Sequence, residues 1–480
     1  MVDSIYNARI MFYKRRSVAW VWGIVLWLGV AGTFAEETPD RDSVTARIVG
    51  AALVDSQAYE KLSWLTDRIG HRLSGSASLD RAIEWSAEQF RRDGVDRVWT
   101  DEVIVPHWVR GNEHARIVSP AEHRLSILAL GGSVGTPEGG ITTEVVVVDG
   151  FESLEALGDG ARGKIVLFNR KMEKGFGSEN GYGALGRIRA NGPSAAAKQG
   201  AVAMLIRSLG TADFRLPHTG ALRYEEGVEK IPSAAVSAED AMLIARLAES
   251  GEPIRVELEL GAKTLPDAKS ANVLAEIRGR ELPDEIVVIG AHLDSWDVGT
   301  GAHDDGAGCA IVMETMRLLA KSGSRPRRTI RAVLFTNEEN GLRGGKDYAE
   351  RYEEQMPHHV AAIESDLGGA PPIGFGVTGG DGAVAAVTEI AVPLSVIGAD
   401  QVFPRGGGAD ISPMKKFGVP QIGQLPDPDS YFDYHHTEAD TLDKVDRHAL
   451  DRNVAAMALM AYMLADLEEP LPRIEPEPAE

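Results

Sequence analysis

The sequence predicts an α/β protein: a doubly wound, mostly parallel sheet carrying an inserted β-rich domain. Three observations predict it. From about residue 262, apolar strand-like runs alternate with helical ones, the pattern of a parallel sheet covered on both faces. Between about 126 and 260 the texture changes to short β-rich runs joined by glycine-rich connections. In the C-terminal half, acids and histidines fall just past strand ends, where open α/β sheets place their ligands.

The elements follow in order. Residues 43–70 have helical spacing through Ile48, Ala51, Leu53, Tyr59, Leu62 and Leu65. Residues 74–78 are a small-residue loop, and 79–93 a second helix with Ala82, Ile83, Ala87 and Phe90 on one side. A strand is expected at 95–105. In the insert, strands are expected at 143–148, 163–168, 203–206 and 254–260, helices at 194–199 and 237–247, and a glycine-rich connection at 174–191. Beyond it, strands at 285–290, 329–335, 360–363 and 419–423 alternate with helices at 305–322, 344–353 and 447–466. The expected division is therefore an N-terminal part of the main domain at 36–125, the insert at 126–260, and the remainder at 261–467. A Pro- and Glu-rich tail at 468–480 is expected to be disordered.

Length and composition narrow the function. A chain of 480 residues with 44% hydrophobic content holds two or three domains. Its formal charge of −21 excludes a nucleic-acid partner, which wants a basic face. Residues 1–35 show the layout of a secretory signal: Lys14-Arg15-Arg16, an apolar run from 18 to 31, then small residues ending at Ala35. Export to the periplasm or outside the cell is expected, with cleavage near Ala35 and no stable membrane insertion afterwards. An uncleaved N-terminal anchor is the alternative. The single cysteine, Cys309, sits among small and apolar residues and reads as a buried hydrophobe.

Six motif positions carry the chemistry. His292 lies in His292-Leu293-Asp294, and Asp304 in Asp304-Asp305-Gly306-Ala307-Gly308. Glu338-Glu339 follows an apolar strand, Asp366 ends another, and His436 opens His436-Thr437-Glu438-Ala439-Asp440-Thr441. Imidazole and carboxylate ligands suit zinc. Adjacent carboxylates at a strand end repel unless a cation sits beside them. Glu338-Glu339 therefore divides naturally into one ligand and one base for a metal-activated water. Asp294 could steady the ring of His292 or act as a nearby second acid. Asp305 is placed to cap the helix that follows.

These motifs, in this order, resemble peptidase family M28, the zinc aminopeptidase-like peptidases with a phosphorylase/hydrolase-like fold. Pro217-His218-Thr219-Gly220 and Val105-Pro106-His107-Trp108 add a closer resemblance to a carboxypeptidase branch of that family, over about 45–468. The resemblance implies two zinc ions: one held by His292, Asp304 and Asp366, the other by Asp304, Glu339 and His436. It implies Glu338 as general base, a cis bond between Asp304 and Asp305, a protease-associated insert as partial cover, and a homodimer. Short peptides are the implied substrate. An aminopeptidase is the alternative within the family. A non-catalytic binding protein and a one-zinc acyl transferase of glutaminyl cyclase type are the alternatives outside it. The tyrosine that stabilises the oxyanion in many relatives is missing from Arg405-Gly406-Gly407-Gly408-Ala409-Asp410, leaving Arg405, Tyr431, Tyr434 and His435 as candidate donors.

Overall fold

A computed structural model of the chain describes residues 41–174 and 180–475. The expected signal segment lies outside the described residues. Two eight-stranded sheets organise the rest. In the first, the strands Arg328–Phe335, Leu282–His292, His359–Glu364 and Gln421–Pro426 lie side by side and parallel. Antiparallel partners flank them: Lys263–Ile277 and Arg97–Val109 on one side, Pro372–Thr378 on the other. The sheet is thus mixed, parallel across its centre and again at the edge pair Pro372–Thr378 and Gln401–Phe403.

The central strands are buried along almost their whole length, so they read as continuous apolar runs rather than alternations. Helices cover both faces. Ala307–Lys321 and Arg447–Asp466 pack in the main core on one face; Ala77–Asp93, its N-terminus accepted by Ser76 Oγ from Leu79 N–H, joins them. Arg343–Arg351 packs with Phe335 and Tyr348 on the other.

The second sheet contains the strands Glu113–Ser119, His123–Leu125, Ile127–Ala129, Ile141–Val148, Ile165–Phe168, Ala203–Arg207, Ser233–Val236 and Arg255–Leu260. Its first two strands precede residue 126 and already belong to it. Separate cores fill its two faces. One of them takes in Trp108 and Trp296 from outside the sheet, so the two bodies share packing.

Several elements differ from expectation. The helix at 43–70 breaks at 55–57 into Arg41–Val54 and Ala58–Ser63, followed by a wider turn over Trp64–Ile69. Much of the glycine-rich 174–191 is helical: Tyr182–Lys198 is one helix whose buried Leu185, Ile188, Gly192 and Ala196 keep helical spacing. Glycines masked that spacing in the sequence. The tail also differs up to 475. Leu471 is buried, and Arg473 donates to the carbonyls of Met356, Pro357, His359 and Phe417, which outweighs a Pro- and Glu-rich composition.

Candidate metal centre

Strand register builds the site. His292 pairs in register with Phe335, and Gly290 with Glu364, so two parallel strands end level and the third ends two residues short, which brings Asp366 to the height of His292. His292 is the last residue of its strand; Glu338-Glu339 follow three and four residues after theirs, and Asp366 two after its own. The fourth donor, Asp304, sits just before Ala307–Lys321, and that helix presses close to the strand ends. A Cβ on Gly308 would stand 2.1 Å from the Ser365 carbonyl oxygen, which only glycine avoids.

All five sequence-predicted ligands converge. His292 Nε2 lies 3.1 Å from both Asp304 Oδ1 and Asp366 Oδ1. His436 Nε2 lies 3.1 Å from both Asp304 Oδ2 and Glu339 Oε2. Asp304 therefore stands between two groups of donors, one oxygen toward each. The peptide bond Asp304-Asp305 is cis. His436 (φ 61°) and Asn337 (φ 63°) are left-handed, a rare conformation for residues other than glycine and one that gathers at functional sites.

The surrounding bonds fix the donors. His292 Nδ1 donates to the Asp294 carbonyl at 3.0 Å, and His436 Nδ1 to the Thr219 carbonyl at 3.2 Å. A carbonyl only accepts, so each ring carries a proton on Nδ1 and turns Nε2 toward the carboxylates. Asp440 accepts from the N–H groups of His303 and Asp304. Asp305 accepts from His292 N–H at 3.1 Å and from Gly308 N–H at 2.9 Å, tying strand to helix as a capping acid. Arg72 is buried and donates to the carbonyls of Gly70, Leu293, Thr300 and Gly301, bracing the loop between His292 and Asp304.

Asp294 is placed differently from the first of its two expected roles. Its carboxylate is 3.8 Å from His292 Nδ1, while Oδ1 accepts from Glu338 N–H at 3.0 Å and Oδ2 from Glu339 N–H at 3.3 Å. It holds the turn that carries both glutamates. Glu338 is half-buried, and no described residue hydrogen-bonds its carboxylate.

The electrostatics call for cations. Burial first, then Asp366, Glu339 and Asp304, push Glu338 well above the usual carboxylate range. Burial and Asp304 push Glu339 up to about 7. Burial also opposes charge on His292, yet Asp366 and Asp304 hold it well above the ordinary histidine value. Asp304 Oδ2 is buried without a hydrogen-bond partner. Two imidazole Nε2 atoms, each facing two carboxylate oxygens at 3.1 Å, call for positive charge between them, a proton on the ring or a metal cation. The ligand atoms of His292, Asp304 and Asp366 lie within 4.8 Å of one another, as do those of Asp304, His435 and His436. The donor set fits zinc.

A cavity of about 540 Å³ opens onto these residues. Of the proposed oxyanion donors, His435 and Tyr431 line it and Arg405 and Tyr434 do not. Two further lining residues, Tyr182 and Arg189, escaped the sequence reading because their helix was taken for a loop. Asp440 stood inside a quoted motif, but nothing in the sequence marked it as the residue that holds Asp304.

Comparison with known proteins agrees. Residues 272–461 match the model of peptidase family M28. The chain is 40% identical over 441 residues to carboxypeptidase Q of Mus musculus, covering 91% of this chain and 92% of that one. The crystal structure of a peptidase M28 precursor from Shewanella amazonensis superposes with a TM-score of 0.87 at 39% identity, covering 91% of this chain and 99% of that one. A zinc aminopeptidase from Bacillus subtilis shares the fold, with a TM-score of 0.65 at 20% identity over 87% of this chain and 97% of that one. Identity at that level over nine-tenths of both chains makes this chain a member of peptidase family M28, a metallo-exopeptidase.

Proposed function

We propose that the chain is an exported two-zinc exopeptidase that hydrolyses dipeptides and short peptides bearing a free C-terminal carboxylate. Export rests on the N-terminal signal layout, cleaved near Ala35, and implies a product not inserted in a membrane. One zinc would be held by His292, Asp304 and Asp366, the other by Asp304, Glu339 and His436. When bound, zinc supplies a polarised carbonyl and an acidified water. The second sheet serves as a protease-associated-like cover that narrows the cleft to short substrates.

The chain's own residues then move one proton. Glu338 lines the cavity and no described residue hydrogen-bonds its carboxylate, which suits a general base. It takes the proton of the attacking water and returns it to the leaving nitrogen. Asp294 aims it by holding its backbone N–H.

Arg189 carries the choice of substrate end. The chain has 71 acidic residues against 50 lysines and arginines, so an arginine lacking an acid partner stands out. Arg189 makes no ion pair among the described residues. Its Nη1 donates to Tyr182 Oη at 2.7 Å and to the Thr219 carbonyl at 3.5 Å, while Nε is buried without a partner. The same Thr219 carbonyl accepts from His436, so the guanidinium stands one carbonyl away from a ligand imidazole. A guanidinium lining the same cavity as the candidate ligands suits a substrate carboxylate. The acids lining the cavity, Asp304, Glu338, Glu339 and Asp366, all have other roles, which leaves none to read a substrate ammonium.

Arg189→Met tests this. The KM for free dipeptides should rise by about 10–100-fold, the worth of a charge-assisted bond, with C-amidated analogues nearly unaffected. An unchanged KM would remove the C-terminal reading and favour an aminopeptidase.

A further inference from the structure

The insert makes contact with the ligand loop at its strained point. His436 is left-handed, and its neighbour His435 stacks on it with ring centroids 3.5 Å apart. Both backbone carbonyls of that pair are taken by the insert's turn Pro217-His218-Thr219-Gly220. His218 Nδ1 donates to the His435 carbonyl at 2.7 Å, and Thr219 N–H donates to the His436 carbonyl at 3.0 Å. The return bond runs from His436 Nδ1 to the Thr219 carbonyl. Thus three bonds join two adjacent residues on each side.

The turn is itself anchored. Thr219 Oγ1 donates to the Ala129 carbonyl at 2.8 Å, and Arg110 donates to that same carbonyl and to Thr219 Oγ1. Gly220 has φ +135°, and a Cβ there would stand 2.3 Å from the Arg189 guanidinium. His218 is buried against Gly210, where a Cβ would stand 2.1 Å from its Nε2. The ring is packed on this side, and its Nδ1–H points at the His435 carbonyl.

We propose that the insert is a working part of the second metal site: His218 and Thr219 are positioning residues that hold His436 in the Nδ1–H form with Nε2 turned toward Asp304 and Glu339. The inference rests on the two-zinc reading. It assigns the insert a role besides covering the cleft. Among the described residues no insert residue bonds His292, whose Nδ1 donates to the carbonyl of Asp294, two residues along the chain. Loss of the turn's bonds should therefore weaken one zinc and spare the other.

The test is zinc stoichiometry of the full-length protein after equilibration with graded chelator. Wild type should retain two zinc ions per chain. His218→Leu should keep the first at wild-type affinity and bind the second about 10–100-fold more weakly, as second-layer partners of metal histidines typically do. His218→Asn places an N–H close to the position of Nδ1 and should restore the second zinc. Turnover by His218→Leu should recover as free zinc is raised. Should His218→Leu fail to fold, the isosteric Thr219→Val loosens the turn's anchor and should show the same selective loss. Equal affinity for both zinc ions in the folded variants, or equal weakening of both, would overturn the proposal. A wild-type protein that never holds two zinc ions would instead overturn the two-zinc reading beneath it.

Discussion

At the residue scale the proposed ligands and the proposed base differ in what each carboxylate touches. Glu339 faces His436 and accepts from Trp296 N–H, whereas Glu338 has no partner for its carboxylate among the described residues. Glu338→Gln should therefore retain zinc while losing turnover by about two to four orders of magnitude, the range of general-base catalysis; single-turnover kinetics with zinc analysis checks both halves. Asp294 works one step removed. Asp294→Asn presents an amide N–H to one of the two backbone N–H groups it now accepts, Glu338 or Glu339. The expected loss is about 10–100-fold in kcat, with KM changed little. The convergence of the five candidate ligands was legible because residue type and motif order show in the sequence. The use of Asp294 was not, because its carboxylate bonds backbone groups more than forty residues away.

At the element scale, legibility followed burial. Central strands buried on both faces show as unbroken apolar runs, and their ends marked the donors. The helix Tyr182–Lys198 was hidden by three glycines and Pro193, and with it Arg189. Local propensity spoke for a loop there, and packing of Leu185 and Ile188 overrode it.

Strand His359–Glu364 offers a pH test away from the metals. His359 Nδ1 donates to the Gln355 carbonyl and Nε2 accepts from Tyr348 Oη. Burial lowers its pKa from 6.5 to about 3. As pH falls below 6.5 the unfolded chain takes up this proton while the folded chain does not. The contribution is intact above pH 6.5 and is lost progressively down to about 3. In denaturant titrations across that window, His359→Asn should lower the slope of stability against pH by about one proton relative to wild type.

At the scale of the whole molecule, the two sheets act as one body. Trp296 leaves the metal loop, packs its indole in the second sheet's core and lies 5.7 Å from the His436 ring. Arg110 joins Asp297 through Nε at 2.9 Å and Nη2 at 2.5 Å while bonding the Ala129 carbonyl. Removing one partner of such a buried pair costs about 3–5 kcal/mol. Arg110→Met should lower unfolding free energy by that order, and wild type should unfold in a single transition by both tryptophan fluorescence and circular dichroism. Two separate transitions would contradict the shared core. The change of texture over 126–260 coincides with six of the second sheet's eight strands. That the insert reaches the metal ligands was not visible, since the bonds run through backbone carbonyls brought together only by folding.

The most direct test is hydrolysis of zinc-loaded protein on matched dipeptides: free, N-acetylated and C-amidated, each with and without chelator. The account predicts chelator-sensitive cleavage that zinc restores, tolerance of the acetyl group, and little cleavage of the amide. Cleavage of the amide with loss of the acetylated substrate would contradict the reading of Arg189, and no turnover of any substrate would contradict the exopeptidase itself.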